Sequence, residues 1–204
     1  MNPESKPTGI FARWRRAFAT LLVLSVALSI YVVDTIYHAN FHVVVSGEVY
    51  RSGQMNAEQL ARVIQNYGIK SVLNLRGTNT SLWYRGEIET ADKLGVRHYD
   101  FDLSANREVG QAQMDEIIRT LRAAPKPVLI HCKAGADRSG LVSALYCLAI
   151  KGQKPAEADR ELSAWYGHVP LVRPRTIAMD HSFWRYVSHY GEHTIEPPAP
   201  PVDP

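Results

Sequence analysis

The chain has 204 residues, of which 46% are hydrophobic and 21% charged, with a formal net charge of +3. This composition suits one ordinary globular domain with extensions at its ends and excludes general disorder. The small net charge, with no basic face interleaved with aromatics, argues against nucleic-acid binding. The two cysteines, Cys132 and Cys147, exclude a disulfide framework, and no spacing suggests structural zinc.

Residues 1–16 form a short basic segment in which Lys6, Arg13, Arg15 and Arg16 precede an uncharged apolar run from Ala17 to Val33, closed by Asp34. As a helix that run would rise about 25 Å, the short end of what crosses a bilayer. A cleavable signal peptide, with Ala27-Leu28-Ser29 as its site, competes with an uncleaved anchor that has Tyr31 at its far edge; a buried core helix is the third reading. The anchor, over residues 17–34, is preferred. The positive flank then keeps the first residues in the cytoplasm and exports the domain that follows. A reactive thiolate there would be exposed to oxidation.

The main domain spans residues 40–192. Phe41 to Val45 and Val49 to Arg51 read as short β segments around Ser46-Gly47, and a helix with Leu60, Val63, Ile64 and Tyr67 on one face runs from Asn56 to Gly68. Ser71 to Leu75 is a buried strand, Leu82 to Leu94 a helix, and Val96 to Leu103 an alternating strand. Met114, Ile117, Ile118 and Leu121 mark another helical face, and Pro127 to Ile130 is a strand running into His131 and Cys132. Ser139 to Lys151 is apolar nearly all round, as in a buried helix. Helices are expected near Pro155–Tyr166 and Ile177–Tyr190, then a Pro-rich disordered tail over 193–204. Strands alternating with helices predict an α/β fold, a mostly parallel sheet flanked by helices, with ligands beyond the carboxyl ends of the strands.

Cys132 stands at such an end. In the loop that follows, Ala134, Gly135 and Ala136 are small, so backbone N–H groups can curl around an oxyanion, and the next helix adds the positive end of its dipole. Arg138 offers a planar fork for two phosphoryl oxygens. The same positive field should keep Cys132 a thiolate, and Ser139 could hydrogen-bond the sulfur as it departs. Lys133 either points toward a highly charged substrate or is simply solvated.

His131, then Cys-x5-Arg from Cys132 to Arg138, then Ser139 resembles the signature of cysteine-dependent tyrosine and dual-specificity phosphatases. Tyr50-Arg51-Ser52-Gly53-Gln54, Val72-Leu73-Asn74-Leu75-Arg76 and Gly167-His168 are similar to a bacterial dual-specificity-like branch. The resemblance implies phosphomonoester hydrolysis in two steps, with Cys132 attacking phosphorus and water then releasing phosphate. It implies no metal and no cofactor. The expected partners are a phosphorylated protein, or a phospholipid or inositol phosphate, as substrate, and the membrane through residues 17–34; the chain is expected to be monomeric and to bind no nucleic acid. A phosphate-binding pseudoenzyme is a further alternative.

For the proton donor, the resemblance offers Asp102 or Asp100, on a segment upstream of the cysteine, or Asp137 within the loop, as in phosphoinositide-directed phosphatases. Asp102 and Asp137 rank equal, with Asp100 behind; Asp137 could instead orient Arg138 or cap the helix. Arg51 and Arg76 could line the pocket, although ion pairs with Glu87 or Glu89 are preferred. His168 reads as a satisfied structural histidine, and Cys147 as core rather than a resolving thiol.

Overall fold

The computed structural model describes residues 8–193. The chain divides at His38/Ala39 into two units. In the first, helix α1 runs from Thr8 to Tyr37. Among the described residues no helix is long and apolar enough to cross a membrane. The transmembrane anchor over residues 17–34, and with it the export of the following domain, is therefore corrected. The apolar run is short and is interrupted by Thr20, Ser25 and Ser29. The hydroxyls of Ser25 and Ser29 donate back to the carbonyls of Leu22 and Ser25, both at 2.8 Å. The Pro-rich tail, from residue 194 on, lies outside the described residues.

The second unit is the expected α/β fold. Five strands, β1 (His42–Val45), β2 (Val49–Ser52), β3 (Ser71–Asn74), β4 (Arg97–Asp100) and β5 (Val128–His131), lie in the order β1-β2-β5-β3-β4. β1 pairs antiparallel with β2, and every other pairing is parallel. β5 is therefore central, and its last residue, His131, is in register with Ser52 of β2 and Asn74 of β3. The chain leaves the sheet there, at its carboxyl edge, between two strand ends.

Alternating strand residues serve two cores. Val72 and Leu129 pack with Leu60 and Ile64 of α2 (Ala57–Tyr67) and Ala91 of α3 (Leu82–Lys93). On the other face Leu73, Val128 and Ile130 meet Met114, Ile117 and Leu121 of α4 (Gln111–Ala123), Leu141 and Leu145 of α5 (Asp137–Ala149), and Phe183 of α7 (Ile177–His193). Each of these side chains larger than alanine contributes about 1.5–3 kcal/mol by burial. α2 begins and ends as its sequence signals require. Asn56 caps it, accepting from the Gln59 N–H while the Gln59 side chain accepts from the Asn56 N–H, and Gly68 closes it at φ 63°.

Two expectations change. The strand over 96–103 stops at Asp100, and Asp102 makes only an isolated bridge with Arg76. The helix expected over 155–166 is one short turn, α6 (Pro155–Ala158), followed by 3₁₀ turns at Asp159–Glu161 and Ala164–Tyr166. That segment instead brings Glu161 to Arg51 of β2.

Candidate active site

The loop after β5 is shaped by where its carbonyls go. The Gln54 N–H donates to Lys133 O at 3.1 Å, and Asn40 Nδ2 donates to Ala134 O at 3.0 Å. Arg51 Nη2 donates to both Gly135 O and Ala136 O at 2.9 Å. With four successive carbonyls held outward, the N–H groups between them turn inward, the geometry of an anion nest. Gly135 sits at φ 73°, and a Cβ there would lie 2.6 Å from Gly53 N, so only glycine fits. α5 starts without a side-chain cap, which leaves the N–H groups of its first turn to the loop interior.

Arg51 is wholly buried and pairs with Glu161 at 2.7 Å, not with Glu87 or Glu89. It therefore builds the loop rather than lining the cavity. Gly140 makes room for this pair, since a Cβ there would lie 2.8 Å from Glu161 O and 3.1 Å from Arg51 Nη2. Arg76 donates to Gln54 Oε1 at 3.0 Å and stacks 3.8 Å above the Trp83 ring.

Cys132 is 2% exposed and lies on the floor of the loop. Burial pushes its thiol up, but Arg138, Ser139 and the backbone N–H groups of Ser139 and Ala134 outweigh burial and bring it below the ordinary cysteine range. Ser139 Oγ stands 3.5 Å from the sulfur. Arg138 Nη1 donates to Leu75 O and Leu103 O, both at 3.2 Å, which aims the guanidinium. Its Nε is buried with no partner among the described residues, a donor that a bound oxyanion would satisfy.

A cavity of about 480 Å³ opens over the loop, lined by Cys132, Lys133, Ala134, Asp137 and Arg138 and, from elsewhere in the chain, by Ala105, Asn106 and Arg173 to Thr176. The two acid candidates part here. Asp137 lines the cavity, whereas Asp102 is exposed and does not. Asp100 is bound away from the cavity, accepting from Asn74 Nδ2 and the Tyr84 hydroxyl, both at 2.7 Å. Asp137 neither caps α5 nor holds Arg138. It accepts from His168 Nδ1 at 2.8 Å.

Glu87, His98 and His131 bring possible metal-ligand atoms within 4.8 Å of one another. However, Glu87 Oε1 already bonds His98 Nε2 at 2.8 Å and His131 Nε2 at 2.9 Å, which engages the nitrogens an ion would need. Burial pushes Glu87 up, but His131, His98 and Gln54 overcome it and lower the carboxyl to about 2. Cys147 is raised to about 12, first by burial and then by Glu161, which fits an inert core thiol.

A strand end, a nest of N–H groups, a cysteine lowered toward thiolate and an aimed arginine define an enzyme-like oxyanion site of the cysteine-phosphatase kind. The model of the tyrosine phosphatase family matches residues 35–157, and the chain belongs to that family. The dual specificity protein phosphatase TpbA of Pseudomonas aeruginosa is 30% identical over 119 residues, 57% of this chain and 50% of that protein. The chain thus spans about half the length of the curated relatives it matches. Among solved structures, P. aeruginosa TpbA superposes with a TM-score of 0.56 at 24% identity, covering 73% of this chain and 91% of the other. The catalytic domain of the PP-IP phosphatase SIW14 from S. cerevisiae gives 0.55 at 19%, covering 74% and 93%. PTPMT1 gives 0.53 at 15%, covering 74% and 99%.

Proposed function

We propose that the chain hydrolyses phosphate monoesters through a phosphocysteine on Cys132. The observation that carries this reading is the buried, lowered thiol beneath a loop whose carbonyls from Lys133 to Ala136 are held outward. In the first step Cys132 Sγ bonds phosphorus while the ester P–O bond breaks. The loop N–H groups and Arg138 hold the phosphoryl oxygens, and Asp137 protonates the leaving oxygen. In the second step water attacks phosphorus, the S–P bond breaks, and Ser139 hydrogen-bonds the departing thiolate. Asp137 is preferred to Asp102 as proton donor because it lines the cavity.

Phosphotyrosine and dual-specificity protein substrates are the first reading, in keeping with the relationship to TpbA. Lys133, Arg173 and Arg175 beside Arg138 favour a second, inositol or lipid phosphates, whose several anionic groups would meet several cations. The full chain should hydrolyse p-nitrophenyl phosphate, and Cys132→Ser should lose at least about a thousandfold in kcat/KM. Equal activity of the two proteins would refute the proposal. A panel of phosphotyrosine peptides, phosphoinositides and inositol phosphates separates the substrate classes.

A further inference from the structure

His168 is 2% exposed, and both its ring nitrogens are engaged. Nδ1 lies 2.8 Å from Asp137 Oδ1, and Nε2 lies 2.9 Å from Asp180 Oδ2. Three elements meet there: Asp137 opens α5, Asp180 sits in the first turn of α7, and His168 follows Gly167, whose φ of 83° turns the chain. The other charged groups facing this cluster are Arg173, with Nη1 3.8 Å from Asp137 Oδ2, and Asp159, which senses both Asp180 and His168.

The shape of the loop does not explain this arrangement. Its carbonyls are held by Gln54, Asn40 and Arg51, and Arg138 is aimed by Leu75 and Leu103. Burying His168 and Asp137 is costly, and apolar side chains of similar volume would pack at least as well. His168 and Asp180 also lie beyond residues 35–157, the part matched to the family. What the cluster does accomplish is to fix one oxygen of Asp137, leaving Oδ2 on the side of Arg173, which itself lines the cavity.

We propose that His168, clamped by Asp180, is the positioning residue for proton transfer by Asp137, binding Oδ1 so that Oδ2 meets the substrate. The inference rests on the phosphatase reading above. As Cys132 Sγ bonds phosphorus and the ester P–O bond breaks, the proton on Asp137 Oδ2 passes to the leaving oxygen. The carboxylate so formed keeps its hydrogen bond from the His168 ring. As water attacks phosphorus and the S–P bond breaks, the proton of water returns to Oδ2 and sulfur leaves as thiolate. Burial pulls His168 down, but its bonds to Asp137 and Asp180 outweigh burial and lift it above the ordinary histidine range.

The test measures kcat/KM of the full chain on aryl phosphates of graded leaving-group basicity and on an alkyl phosphate, for wild type, Cys132→Ser, His168→Ala, His168→Asn and Asp180→Asn. Thermal unfolding is recorded for each variant. A good leaving group such as p-nitrophenolate has little need of a proton, whereas an alkoxide depends on one. His168→Ala should therefore lose at least about tenfold more on the alkyl ester than on p-nitrophenyl phosphate. His168→Asn, whose amide can still donate to Asp137, should recover most of that excess, and Asp180→Asn should shift the alkaline limb of the pH profile toward lower pH. Parallel losses on both esters, or no recovery by asparagine in a folded protein, would overturn the positioning role while leaving the phosphatase standing. Should His168→Ala fail to fold, His168→Asn and Asp180→Asn carry the same test. Full turnover by Cys132→Ser would remove the phosphatase reading and this inference with it.

Discussion

The two ends of the Cys132–Arg138 loop are each tied to a buried cluster of carboxylate and imidazole, built in opposite senses. At the entry, Glu87 is one carboxylate between two histidines, His98 and His131. At the exit, His168 is one histidine between two carboxylates, Asp137 and Asp180. The first contributes no residue to the cavity, and the second places Asp137 on its wall. The difference assigns them different work: the Glu87 cluster anchors the end of β5 beneath Cys132, and the His168 cluster faces the cavity.

The largest expected effect comes from breaking the anchor. Glu87→Leu would leave His98 Nε2 and His131 Nε2 without their acceptor, and Gln54 Nε2 with only the Met55 carbonyl. At about 1–3 kcal/mol for each buried unpaired group, the loss should reach about 3 kcal/mol or more, read from urea unfolding. A loss under about 1 kcal/mol would show that the cluster does not anchor the strand.

Acidity and alkalinity should then separate the clusters. Glu87 is lowered to about 2, so its contribution is complete above the ordinary carboxyl range near pH 4.3 and is lost as the pH falls toward about 2. His168 is raised, so its contribution is complete below about pH 6.5 and is lost as the pH climbs through its higher folded value. The stability gap between wild type and Glu87→Gln should therefore close in acid, and that between wild type and His168→Asn should close in alkali. Gaps that do not change with pH would contradict the two assignments. The smallest effect is expected at Cys147, whose change to Ala should alter stability by about 1 kcal/mol and leave turnover intact.

The contrast between near and distant partners also explains what could be read from the sequence. The loop from His131 to Gly140 is contiguous, so its small residues, cysteine and arginine stand together in the sequence and carry the family resemblance. The strands and most helices showed in their periodicity. The supports did not, because they come from far along the chain: Asn40 and Arg51 hold the loop carbonyls across 84 to 94 positions, and His168 reaches back 31 to Asp137. A lone histidine after a glycine carries no pattern that separates a core residue from one clamped between carboxylates. The Arg173-Pro174-Arg175 stretch carries no motif, and only the fold brings it to the cavity. The N-terminal anchor was misread because an apolar run after arginines satisfies the local pattern of a membrane span without the apolar length that a crossing requires.

A phosphatase of this kind must carry a covalent phosphoryl group on one sulfur during turnover. The full chain, turning over an aryl phosphate, should be quenched in acid and its peptides weighed. One added phosphoryl group is expected on the peptide holding Cys132, absent from Cys132→Ser, which should also cease to turn over. Turnover with no phosphoryl group on that peptide, or with the group on another residue, would contradict it.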